Sequence, residues 1–117
     1  MEEKNEKGFL YMDQEGLMTR MRGNAKLVKR LLDTFLADQE MEKLIGFVAD
    51  DNREEANKST HAIKGVAGNL SLTALFEASK ELEADLKAGA DVKDLFETYK
   101  TTYQKTREAV EEATQKL

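Results

Sequence analysis

With 117 residues, no cysteine, no proline and a single histidine, the chain holds one domain's worth of sequence and lacks both a disulfide framework and the ligand set of a zinc site. Its formal net charge of −5 argues against nonspecific affinity for nucleic acid, which depends on clustered Lys and Arg against phosphates. The opening MEEKNEKG is too acidic and polar for a secretory signal, and no apolar run approaches the ~20 residues that span a bilayer, so a soluble cytoplasmic protein without membrane insertion is expected.

Residues 1–8 read as a loosely ordered polar leader, with the domain proper over 9–117. A short first helix is expected over about 12–21, where Gly23 and Asn24 then supply a helix stop and a new N-cap. Leu27, Leu31, Phe35, Ile45 and Val48 recur at roughly helical spacing along 24–49, which reads as one long helix or two nearly continuous ones divided near Asp38-Gln39-Glu40. Asn52 followed by Glu55 resembles a capping box and opens a third segment that carries His61 and ends near Gly68-Asn69. Ser71 is the expected cap of a fourth, whose stripe is Leu72, Leu75, Phe76, Ser79, Leu82 and Leu86, with Ser79 its only hydroxyl. Gly89 ends that helix, and Asp91 is the expected cap of a last one in which Val92, Leu95, Phe96, Tyr99, Tyr103 and Val110 continue the apolar face.

High Ala, Leu, Glu and Lys content favours helix throughout, because these side chains lose little rotamer freedom there. Each stripe is too narrow to be buried alone, and the short connections favour antiparallel neighbours. The expected fold is all-α, an antiparallel four-helix bundle with a short additional N-terminal helix. No long a/d heptad seam is left over, which points to a monomer.

On a helical wheel at about 100° per residue, Ala56, Ser59, Thr60, Ile63, Ala67 and Leu70 share one face, the expected buried face of the third segment. His61 lies roughly 160° from Ile63 and points outward, flanked by Glu54, Asn57, Lys58, Lys64, Gly65 and Gly68. An interior helical glycine costs about 0.5–1 kcal/mol relative to alanine, and an outward-facing one lacks the usual justification of close helix packing. Gly65 and Gly68 therefore read as clearing one side of the imidazole for an approaching surface. Lys58 and Lys64, three residues before and after His61, favour an anion at the ring and also favour the neutral imidazole, the form whose lone pair can attack phosphorus. Taken alone, one exposed histidine among lysines is an ordinary solvated face.

The run His61-Ala62-Ile63-Lys64-Gly65, then Ala67-Gly68-Asn69-Leu70, with Leu82-Glu83 further on, resembles the histidine-containing phosphotransfer (HPt) domains of two-component phosphorelays. Gly16-Leu17, Gly23-Asn24 and Leu31-Leu32 through Phe35-Leu36 resemble that family's opening helices, and the likeness extends over about residues 9–110. One departure is Ser71, where family members commonly carry glycine.

The resemblance implies a phosphocarrier rather than an enzyme. His61 would accept a phosphoryl group from a receiver-domain aspartate and pass it to another response-regulator receiver, through the ring nitrogen remote from the backbone. Its partners would be response-regulator receivers and a hybrid sensor kinase. No cofactor is expected on this chain; Mg2+ would belong to the receiver, in keeping with the absence of a GxxxxGK[ST] phosphate loop here. Lys64 would stabilise charge on the phosphoryl group, Gly65, Gly68 and Asn69 would belong to the docking surface, and Lys58 would assist. On the wheel Glu83 sits at the edge of its stripe, from which it could reach the nearer ring nitrogen and set the tautomer; an ordinary flanking carboxylate is the competing reading. Two other functions stand beside the carrier: the phosphoacceptor piece of a hybrid or chemotaxis-type kinase, and a helical adaptor in which His61 is incidental.

Overall fold

A computed structural model describes residues 3–117, in which six helices follow one another: α1 (Gln14–Arg20), α2 (Ala25–Ala37), α3 (Glu40–Ala49), α4 (Arg53–Asn69), α5 (Thr73–Ala88) and α6 (Lys93–Gln115). Most starts follow local chemistry. Asp13, Asn24 and Asn52 each accept a hydrogen bond from a backbone N–H three residues on, satisfying donors that the first turn leaves without helical partners. Asp91 also caps, from one position earlier than a standard N-cap: its carboxylate accepts from the Lys93 N–H at 3.0 Å, and Val92 takes the cap position itself.

The segment 24–49 divides into two helices because Asp38 is extended, at φ −68° and ψ 138°. That break shifts the phase of the apolar stripe. Val28, Leu32 and Phe35 are buried in α2, and Met41 and Leu44 in α3, while Leu27, Leu31 and Val48 are half-buried and Ile45 remains 42% exposed. The division falls within Asp38-Gln39-Glu40, where the two-helix reading places it, but a single period carried across it selects the wrong residue at Ile45.

Helices α2 and α3 form one bent column running antiparallel to α6. Phe35 packs on Tyr103 with ring centroids 5.7 Å apart, and the Arg107 guanidinium donates to the Leu36 carbonyl at 2.9 Å. Further along, Ile45 and Val48 share a groove with Val92 and Phe96. The other columns are α4, α5 and α6, with α3 against α4, α4 against α5 and α5 against α6. This is a four-helix bundle with the short α1 added at its N-terminal side. Fully burying each Leu of its core contributes about 1.5–3 kcal/mol, so packing of these stripes dominates the favourable side of folding. Hydroxyls inside the bundle are paired: Ser79 with Tyr99 at 2.8 Å across α5 and α6, and Ser59 with the Glu40 carboxylate at 2.7 Å across α4 and α3.

Residues 3–8, expected to be loose, form a small hairpin instead. Asn5 Oδ1 accepts from the N–H groups of Lys7 and Phe9, Gly8 adopts φ +86°, and Lys4 bridges Leu10. Met1 and Glu2, the start of that leader, lie outside the described residues. The chain then buries Tyr11 and Met12, and the Leu10 carbonyl accepts from the Ala74 N–H at 2.8 Å, which satisfies the start of α5.

Ser71 does not cap α5. It adopts φ +58° and closes α4 in a Schellman turn, with the Leu72 N–H on the Ala67 carbonyl at 2.9 Å and the Ser71 N–H on the Gly68 carbonyl at 3.4 Å. Leu72 holds the N-cap position of α5, and the Ser71 hydroxyl is taken by the Arg20 guanidinium, which also donates to the Asn69 carbonyl at 2.9 Å. Gly89 ends α5 in the left-handed conformation, at φ +75°.

Candidate functional site

The wheel assignment of α4 holds at every position: Ala56, Ser59, Thr60, Ile63, Ala67 and Leu70 are all buried. Anchoring this face fixes the opposite one toward solvent, and the His61 side chain is 71% exposed. Across from it, α5 buries Leu82 and Leu86 and thereby brings Glu83 to the seam between the two helices, where its side chain is only 10% exposed.

Glu83 joins the site together. One carboxylate oxygen, Oε2, lies 2.8 Å from His61 Nδ1, and the other, Oε1, accepts from the Lys64 ammonium at 2.8 Å. The Lys64 hydrogen bond is the main cause holding the Glu83 carboxyl below its ordinary value; burial opposes it, and the bond to His61 and the charges of Lys64 and Lys87 add to the lowering. An ionised carboxylate only accepts, so His61 Nδ1 carries the hydrogen in this bond. In the neutral ring, Nε2 then bears the lone pair, and it belongs to a side chain that is mostly open to solvent.

The remaining residues singled out from the sequence divide. Lys58 turns away from the ring toward the acidic first turn of α4, with ion pairs to Glu54 at 3.8 Å and Glu55 at 3.6 Å. Gly65 is exposed, and a Cβ added there would meet nothing within 4 Å, as expected of a cleared flank. Gly68 is exposed too, yet it has the packing role that the outward placement seemed to exclude: a Cβ there would stand 3.3 Å from the Phe76 ring. Asn69 is exposed at the end of α4, and its carbonyl is held by Arg20.

Two residues were missed. Lys87 places its ammonium 4.0 Å from Glu83 Oε1, a neighbour that the i,i+4 spacing from Glu83 could have revealed. Phe76 was assigned wholly to the core, whereas its half-buried ring lies beside Gly68, with the Lys80 ammonium 5.9 Å from its centroid.

A model of the Hpt domain family matches residues 26–115, most of the chain and all of the site. The chain belongs to the Hpt domain family. Histidine phosphotransfer in two-component signalling is what such domains perform, acting as phosphocarriers rather than catalysts and meeting receiver domains and kinases. No curated protein sequence and no solved structure matched it. Among the described residues, no helix of this Hpt domain is long and apolar enough to cross a membrane, and no group of three or more His, Asp or Glu side chains is placed to hold a metal ion.

Proposed function

We propose that this Hpt domain carries its phosphoryl group on His61 Nε2, taking it from the aspartyl phosphate of one receiver domain and handing it to the aspartate of another. The observation that supports this most strongly is the pairing of His61 Nδ1 with Glu83 while the ring stays exposed. A nucleophile needs its lone pair free and its ring held, and a carboxylate on the opposite nitrogen provides both.

In the transfer, the Nε2 lone pair attacks phosphorus, the N–P bond forms and the P–O bond to the receiver's carboxyl breaks. The bonding pair leaves on the receiver's aspartate. Nδ1 keeps its hydrogen, so the ring gains positive charge as the bond forms, and the Glu83 carboxylate is placed to stabilise that charge. Lys64, 23% exposed and three residues from His61 on the same helix, supplies a cation for the incoming phosphoryl oxygens. Magnesium and the remaining acid–base groups belong to the receiver. Gly65, with open space where a Cβ would be, lets the receiver's surface come close to the ring.

The test is incubation with a phosphorylated receiver domain, followed by acid and alkali treatment of the labelled protein. Label that survives alkali and is lost in acid, and that is missing from His61→Gln, is the expected result. Equal labelling of His61→Gln would overturn the assignment.

A further inference from the structure

The site contains one more cation than the transfer step uses. Lys64 and Lys87 both address Glu83 Oε1, at 2.8 and 4.0 Å, from different helices. The other lysines nearby are engaged elsewhere: Lys58 pairs with Glu54 and Glu55, and Lys80 pairs with Glu77 at 3.5 Å while lying over the Phe76 ring. Among the described residues, the one ion pair of Lys87 is with Glu83, and its side chain is 65% exposed.

This matters once a phosphoryl group arrives. It brings about −1.5 to −2 charge at pH 7 beside a carboxylate that is nearly buried. The Lys64 ammonium is drawn toward the phosphoryl oxygens, and any donor it turns toward them is one withdrawn from Glu83. A nearly buried carboxylate left without its cation costs more than an exposed one, because water does not replace the lost hydrogen bond. Resting on the phosphocarrier reading above, we infer that Lys87 is a positioning residue for the phosphorylated state: it closes on Glu83 Oε1 as Lys64 turns to the phosphoryl group, and so keeps Oε2 aimed at His61 Nδ1. No bond is made or broken in this exchange; one ammonium replaces another on the same oxygen. In the unphosphorylated protein Lys64 holds Glu83 by the shorter contact, and Lys87 adds only the weaker pull of its charge from 4.0 Å.

The experiment measures, by 31P NMR, the fraction of phosphohistidine at equilibrium with a phosphorylated receiver domain, in the parent, Lys87→Met, Lys87→Arg, Glu83→Gln and the Glu83→Gln/Lys87→Met double variant. Lys87→Met is expected to lower the ratio of phosphohistidine to aspartyl phosphate about threefold, the size of a partly exposed ion pair. Lys87→Arg should restore the parent ratio, and Lys87→Met should have no further effect once Glu83 is Gln. In the unphosphorylated protein, the 15N signature of the His61 ring should be the same in Lys87→Met as in the parent. A parent-like ratio in Lys87→Met would overturn the inference, and so would an equal loss in the Glu83→Gln background, which would make Lys87 a screening charge with no action through Glu83. A parent protein that takes no phosphoryl group would instead overturn the phosphocarrier reading itself, and the role of Lys87 with it.

Discussion

Glu83 reaches from α5 to two side chains of α4 with its two oxygens, and its charge state decides what both of them do. Pairing with Lys64 holds its carboxyl below the ordinary glutamate range in the folded protein. A group whose value is lowered by folding adds stability above its unfolded value, near pH 4.3, and that stability is lost as pH falls through the lowered folded value. The stability advantage of the parent over Glu83→Gln should therefore be full at pH 6 and shrink as pH falls below about 4, which urea unfolding at the two ends of that range will measure. An advantage unchanged at pH 3 would mean that the carboxylate contributes nothing through its charge. Gly65 makes a second claim at the same scale. Because space is open at its Cβ position, Gly65→Ala should raise stability by about 0.5–1 kcal/mol, whereas Gly65→Gln should slow transfer from a receiver on the order of tenfold by obstructing approach. Unimpaired transfer to Gly65→Gln would remove the docking explanation of this glycine. Gly68 is a poorer probe than Gly65, since a side chain there presses on Phe76 before it meets any partner.

Among the elements, the joints depend on residues distant in sequence. Three arginines hold carbonyls at or next to the C-terminal ends of helices: Arg107 the Leu36 carbonyl of α2, Arg20 the Asn69 carbonyl of α4, and Arg53 those of Asp85, Leu86 and Ala90 at the end of α5. Local pattern could not reveal these pairs, because nothing in the spacing of Arg53 and Ala90 links them before the bundle closes. The stripes and most caps were legible: the five buried positions of α4, and Leu70 just past its end, follow from a period of 3.6, and Asn24 and Asn52 cap where their side-chain chemistry places them. Two features were not. A division near Asp38 was one of the two readings of 24–49, but its effect on the stripe was not read: the extended backbone there resets the phase, and a period carried across the break selects Ile45, which is exposed. Ser71 looks like a cap because serine often is one, yet the six-residue closure of α4 needs a left-handed residue at that position. A left-handed conformation costs a non-glycine residue about 1–2 kcal/mol. Ser71→Gly should therefore stabilise the protein by up to about 1 kcal/mol after the loss of the Arg20 contact, measured by thermal or urea unfolding. A destabilised Ser71→Gly would show that the Arg20 clasp outweighs the backbone strain.

For the whole molecule, the bundle matters chiefly as the device that sets α5 beside α4. His61 and Lys64 share a helix, so their proximity was readable from spacing alone, but Glu83 reaches them only because Leu82 and Leu86 are buried on the adjoining column. The sequence left the orienting role of Glu83 level with that of an ordinary flanking carboxylate; in the structure its carboxylate lies 2.8 Å from His61 Nδ1, the contact that an orienting role requires. On the proposed phosphocarrier reading the consequence is chemical: with Nδ1 occupied as donor, only Nε2 is open to phosphorus. The most direct test is a 1H–15N spectrum of the His61 ring, recorded before and after phosphorylation by a charged receiver domain. The account expects the Nδ1–H form beforehand and the N–P bond at Nε2 afterwards, seen as 31P coupling to that nitrogen. A phosphoryl group on Nδ1, or an unphosphorylated ring with its hydrogen on Nε2, would contradict it.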